Sequence, residues 1–227
     1  MYAIAIDGPA GAGKSSAAKA ASRKLGFIYV DTGALYRTVG LYMLQNEISM
    51  QEQEKVAAAL RDIQVELAFR PDGQHVFLNG EDVSEKIRTP QVSMAASSVS
   101  AIPAVREFLF DLQLSLAEKN NVLMDGRDIG TVVLPNAQVK IFLTASAEER
   151  ARRRCLELEQ KGQPVAYEEV LEDIRQRDYQ DSHREIAPLV PAKDAVILDT
   201  SDCDLEGAVQ RILEIVHKKL PNIKIDF

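Results

Sequence analysis

Eight residues at positions 8–15, Gly-Pro-Ala-Gly-Ala-Gly-Lys-Ser, constrain this chain more than any others. They fit G-x-x-x-x-G-K-[ST], a loop whose glycines let consecutive backbone N–H groups turn inward around phosphate oxygens. Lys14 supplies a point charge for β- and γ-phosphates, and Ser15 a hydroxyl for Mg²⁺. A chance glycine- and alanine-rich turn is the competing reading, and the context argues against it. An apolar run at residues 2–6 precedes the loop as a buried strand does. Residues 17–25, rich in helix formers, follow it and end at Gly26. A strand, a phosphate loop and a helix whose N-terminal dipole faces the anion commit the chain to α/β architecture.

The rest of the chain extends that commitment. Further short apolar runs stand at residues 27–30, 122–124, 139–143 and 195–198, with helical patterns between most of them. Together with residues 2–6 they predict a five-stranded parallel sheet. Two segments fall outside the alternation. Residues 63–90 hold two β-rich runs flanking Pro71-Asp72-Gly73, a turn signal that predicts a small β insertion. Residues 146–184 read as a helical hairpin: Ser146 with Glu149 resembles a capping box, "KGQP" interrupts, and a second amphipathic helix begins near Tyr167.

That hairpin carries seven of the fifteen arginines of a chain whose formal charge is −7. A solvated face balanced by glutamates accounts for some of them. Arg150, Arg153 and Arg154 nevertheless share one helix face. Arginines on a closing element beside a phosphate loop suit phosphoryl transfer, whose transition state spreads charge over equatorial oxygens. Hydrolytic switches and motors fit less well. Gly126 follows the strand-end Asp125 where a water-activating carboxylate is expected, and no N-K-x-D motif is present. "DLEG" at residues 204–207 mimics a switch signature but lies in a polar turn entering the last helix. None of the three histidines has the context of a general base. A phosphate monoester acceptor needs none, because its second pKa near ~6 leaves it mostly dianionic at pH 7. Arg37 and Arg127, just past strand ends, are the candidate grips for such an acceptor.

The acidic balance argues against a broad nucleic-acid footprint. No apolar run reaches membrane-spanning length, and the N-terminus lacks signal-peptide character, so a cytoplasmic protein without membrane partners is expected. Cys155 and Cys203 match no metal spacing and read as free thiols. A monomer is expected.

Five stretches, "DGPAGAGKSS", "YVDTGALYR", "GEDVSEKIRTPQVSMAASSVSAIPAVR", "MDGRDIGTVVLPNAQVKIFLTAS" and "DSHREIAPLVPAKDAVILDTS", together resemble bacterial cytidylate kinases over nearly the whole chain. The resemblance implies a three-layer P-loop kinase fold: a core of residues 1–62 and 91–227, a helical lid at about 146–184, and the 63–90 insertion as part of the nucleoside monophosphate-binding region. It implies Mg²⁺-dependent transfer from ATP to CMP or dCMP. ATP would lie over Gly8, Pro9, Ala10, Gly11, Ala12, Gly13, Lys14, Ser15 and Ser16, with Lys14, Arg150, Arg153 and Arg154 catalytic and Ser15 on the metal. Arg37 and Arg127 would hold the CMP phosphate, with Thr32 and Tyr36 lining the site. Ser97, Arg106, Asp128 and Arg184 would surround cytosine, and Arg177 and Asp181 would reach the ribose. Thr32 stands where the family often has serine. For Asp128 the plainer role is helix capping or arginine pairing. Another small-molecule P-loop kinase, or a slowly hydrolysing nucleotide-binding module, remains open until acceptors are compared.

Overall fold

A computed structural model of the chain describes residues 1–71, 73–160 and 162–224. Among the described residues, strands β1 (Ala3–Asp7), β2 (Ile28–Asp31), β6 (Val122–Gly126), β7 (Val139–Thr144) and β8 (Val196–Asp199) form one parallel sheet, in the order β2-β6-β1-β7-β8. Alternation along the strands builds a core on each face. Ile4, Ile6, Leu123, Ile141 and Leu143 pack against helices α1 (Lys14–Leu25) and α8 (Leu205–Lys219). Ala5, Val30, Val122 and Met124 face the opposite way, toward α5 (Pro103–Lys119) and a π-helical turn at Ile129–Val133. Helices α2 (Thr32–Gln45), α3 (Gln53–Ala59) and α4 (Pro90–Ser100) join α5 in a further apolar cluster.

All five strands end one or two residues later than their apolar runs. The extra residues, Asp7, Asp31, Asp125–Gly126, Thr144 and Asp199, stay extended because they pair in register: Asp7 with Gly126, Asp31 with Asp125, Thr144 with Asp199. The sheet's carboxyl edge is therefore rimmed with polar side chains, where ligands of open α/β sheets bind.

The insertion is a separate antiparallel sheet of β3 (Val65–Arg70), β4 (Gly73–Leu78) and β5 (Glu81–Asp82). Arg70 pairs with Gly73 across the expected turn, of which Asp72 lies outside the described residues. The helical hairpin is α6 (Ala147–Gln160) and α7 (Tyr167–His183), packed through Ala151, Val170 and Ile174. The capping box is half made. Ser146 Oγ accepts from the Glu149 N–H at 3.1 Å, while the Glu149 carboxylate turns to Arg153 and the Ser146 N–H is taken by Ser201 Oγ. "KGQP" ends α6 with Gly162 at φ 72°; Lys161 lies outside the described residues. "DLEG" is the turn expected, since Asp204 caps α8 by accepting from the Gly207 N–H at 2.9 Å.

Candidate active site

The phosphate loop joins β1 to α1 with Gly11 and Gly13 at positive φ, 74° and 83°. Helix α1 begins at Lys14, three residues before its apolar pattern, and no side chain caps it. The N–H groups of its first turn are thus left for an anion. Gly8 and Pro9 differ from the other loop residues. Neither lines the cleft: a Cβ on Gly8 would stand 1.9 Å from the Leu143 carbonyl oxygen, and Pro9 contributes its carbonyl to Lys14 Nζ at 2.8 Å. They shape the loop from behind.

Residues 10–16 border one cavity of about 550 Å³ that runs across the carboxyl edge of the sheet. Thr32, Tyr36, Arg37, Ser97 and Arg106 share it from the α2, α4 and α5 side. Arg127 and Asp128 enter from the β6 end, and Arg150, Arg153, Arg154, Arg177, Asp181 and Arg184 from the hairpin. Every candidate except Gly8 and Pro9 therefore reaches one cleft.

Its electrostatics are lopsided. Lys14 is buried, and burial first, then Arg127, lowers it from 10.5 to about 7 against the pull of Asp125 and Asp7. Arg177 is depressed to about 10 by burial, with Arg127 and Arg37 adding to it, and its Nε is buried with no hydrogen-bond partner. Arg37 Nη2 donates to Asp31 Oδ2 at 2.7 Å, and Arg127 Nε donates to Asp181 Oδ2 at 2.9 Å. Burial opposes ionisation of Asp181, but Arg127 and Arg177 outweigh it and hold the carboxyl below its ordinary range. Over the whole lining of the cleft, nine cationic side chains face six carboxylates.

At the far wall, Asp128 is 4% exposed and accepts from Arg106 Nη2 through Oδ2. Its Oδ1 stands 3.6 Å from Arg184 Nη2, a buried donor without a hydrogen-bond partner. Arg184 is anchored elsewhere, through Nε to the Ala187 carbonyl at 2.6 Å and Nη1 to Ser100 Oγ at 3.1 Å. The arginine-pairing role of Asp128 is thus realised, and an acceptor and an unsatisfied donor remain side by side. Burial outweighs both arginines and raises Asp128 above the usual carboxylate range. Tyr36 lies under the Arg106 guanidinium, 5.7 Å from ring centroid to Cζ.

The arginines of α6 are already engaged. Arg150 makes a two-pronged pair with Asp178, at 3.0 and 2.5 Å, and donates to the Ala10 carbonyl of the phosphate loop at 3.0 Å. Arg153 reaches the Thr200 and Cys203 carbonyls, and Arg154 pairs with Glu157. Thr32 is buried and donates to the Asp125 carbonyl at 2.8 Å, tying α2 to the end of β6.

Several residues of the cleft escape the motifs. Ser15 Oγ donates to Asp125 Oδ2 at 2.8 Å, and Tyr29 donates to Oδ1 at 3.0 Å. Burial and the neighbouring Asp31 push Asp125 up to about 6. A hydroxyl and a carboxylate oxygen meeting at a phosphate cradle suit Mg²⁺, which binds through one or two carboxylates plus phosphates and keeps several waters. The signal was an apolar run ending in aspartate. Thr200, Cys203, Asp204 and Leu205 form the wall beside α8, and their sequence carries no motif.

The cytidylate kinase family model matches residues 4–218. The chain belongs to that family. A cytidylate kinase of Caldicellulosiruptor bescii is 52% identical over 96% of this chain and 97% of its own. Those of Caldanaerobacter subterraneus and Bacillus subtilis are 54% and 49% identical over 95% of this chain, covering 94% and 96% of theirs. Membership makes the protein a phosphotransferase of the nucleoside monophosphate kinase class. A crystal structure of an uncharacterized protein from Eubacterium ventriosum shares the fold, with a TM-score of 0.51 at 12% identity over 94% of this chain and 97% of that one.

Proposed function

We propose that this family member transfers the γ-phosphoryl group of ATP to the phosphate of CMP or dCMP, giving CDP or dCDP and ADP. One observation carries the reading. A single cleft joins an uncapped phosphate loop to a buried acceptor–donor pair, Asp128 Oδ1 and Arg184 Nη2, with a surplus of cations between them. Cytosine presents an N4 amino donor beside its N3 acceptor and so matches that pair. Uracil presents O4 and N3–H and mismatches both.

An oxygen of the CMP phosphate attacks Pγ in line as the Pγ–O bond to the β-phosphate breaks and ADP leaves with the electron pair. The dianionic acceptor has no proton to surrender, so the chain supplies positioning and charge instead of a base. Arg37 and Arg127 hold the acceptor phosphate. Arg177 and Asp181 reach toward the ribose, and Arg177 brings to it a buried Nε donor with no hydrogen-bond partner. Lys14 and the loop N–H groups bind the donor phosphates, and Arg150, Arg153 and Arg154 close the hairpin over them. Ser15 and Asp125 would hold Mg²⁺, which neutralises β- and γ-oxygens when bound.

Coupled ADP release tests this across CMP, dCMP, UMP, AMP, GMP, shikimate and a sugar acid. CMP and dCMP should lead in kcat/KM. Comparable turnover with a non-nucleotide acceptor, or none above slow hydrolysis, refutes the reading.

A further inference from the structure

Strand β2 is an edge of the main sheet, so the backbone groups of Asp31 that point away from β6 have no strand to meet. They are met by one side chain of the insertion. The Asp31 N–H donates to Gln74 Oε1 at 2.9 Å, and Gln74 Nε2 donates back to the Asp31 carbonyl at 3.3 Å. A primary amide offers an acceptor and a donor just as a neighbouring strand residue would. Around this contact the insertion and the core stand apart: a second cavity of about 180 Å³ lies there, bordered by Gln74, Asp31, Arg37 and Tyr29. Gln74 bridges a gap.

What it bridges to is chemically specific. Asp31 Oδ1 accepts from the Ala34 N–H at 3.0 Å and caps α2, while Oδ2 holds Arg37 Nη2 at 2.7 Å. The fit leaves no slack: a Cβ on Gly33 would fall 3.0 Å from Arg37 Nη1 and 3.1 Å from Asp31 Oδ1. The direction of the Arg37 guanidinium thus depends on the Asp31 carboxylate, and the Asp31 backbone is fixed by Gln74.

We infer that Gln74 is a positioning residue through which the β insertion orients Arg37 and sets affinity for the acceptor phosphate. This rests on the reading of Arg37 as an acceptor-phosphate grip. Gln74 touches no reacting atom. The same cavity is bordered by Ser15 and Ser16 of α1, so KM for ATP is the control that separates the acceptor grip from the donor site.

The test compares wild type, Gln74→Met, Arg37→Ala and the double variant. Methionine matches the length of glutamine and keeps packing while removing both hydrogen bonds. Gln74→Met should raise KM for CMP about tenfold, the loss of one to two hydrogen bonds, with KM for ATP within about twofold of wild type. Amide exchange at Asp31, read by NMR, should accelerate. In the double variant Gln74→Met should add little to the defect of Arg37→Ala, since both act on one grip. If Arg37→Ala leaves KM for CMP unchanged, the acceptor-phosphate reading fails and the inference with it. If Arg37→Ala raises KM while Gln74→Met does not, or if the two effects add in full, the coupling is overturned and the acceptor reading stands. A KM for ATP that rises in parallel with that for CMP reduces Gln74 to general support of the fold and overturns the inference as well.

Discussion

On the proposed reading, exchanging one atom at Asp128 weakens the choice of base. Truncation to alanine is a poor probe, because it strands two arginines, Arg106 and Arg184, whose side chains are 10% and 8% exposed. Removing one partner from a buried pair costs about 3–5 kcal/mol and can unfold the site. Asp128→Asn keeps the volume. Arg106 offers only donors, so the amide oxygen must stay on it, which turns the Nδ2 amino group to where Oδ1 now stands. That position then donates. Cytosine N4 meets a donor instead of a carboxylate, and the loss is that of a hydrogen bond to a charged group, about 1.5–3 kcal/mol. At about 1.4 kcal/mol per decade, kcat/KM for CMP should fall about 10- to 100-fold. Uracil O4 gains a donor, so UMP should hold its rate or improve, and the CMP/UMP ratio should shrink at least as far. The assay is coupled ADP release at saturating ATP with both acceptors, alongside a melting curve and the KM for ATP. A parallel fall for CMP and UMP in a folded variant refutes the argument and leaves Asp128 as an anchor for Arg106 alone.

Lys14→Ala should lower kcat by several orders of magnitude with the ligand-free melting temperature unchanged or raised, because its buried charge lacks a full partner without nucleotide; unchanged kcat would remove the phosphate-loop assignment. Gly8→Ala should prevent folding, given φ 149° and a contact of 1.9 Å with the Leu143 carbonyl. Gly26→Ala, at φ 64° in open space, should cost only about 1 kcal/mol by urea titration, the ordinary strain of a left-handed residue. Burial raises Asp7 from 3.8 to about 6 despite its bonds from the Ile129 and Gly130 N–H groups. The folded form therefore holds this proton more tightly than the unfolded chain, a contribution complete below pH 3.8 and lost as pH rises through about 6. Urea titrations at pH 4.5 and 7 should show a smaller stability difference between the two pH values for Asp7→Asn than for wild type. ATP with CMP should protect α6 and α7 from hydrogen exchange more than either alone; equal protection in empty and doubly occupied protein would refute closure by this hairpin.

The sheet was legible because each strand is a short apolar run, but its ends were not. Asp7, Asp31 and Asp199 are polar, and only pairing with a neighbouring strand keeps them extended. The phosphate loop and the strand-end arginines were readable from local pattern plus the chemistry of phosphate. Gly8 and Pro9 belonged to the same motif, yet whether a loop residue faces ligand or scaffold depends on β7, over 130 residues away. Asp125 met Ser15, Tyr29 and Thr32 only through tertiary packing. The π-helical turn, held by both oxygens of Asp7, had no periodicity to announce it. Gln74 left no trace at all, since one amide closing a strand edge has no spacing rule.

The crowd of cations formed by buried Lys14 and half-buried Arg127 and Arg177 also bears on how long a molecule of this enzyme survives. Without phosphates these groups repel one another, so the empty cleft takes stability from the fold. Each bound nucleotide relieves that repulsion, and occupancy at 100 times Kd adds about 2.7 kcal/mol to stability. Proteases that sample opened chains would spare the working copies and remove the idle ones. Abundance would then track metabolite supply with no separate regulator, the substrate itself acting as the signal for retention.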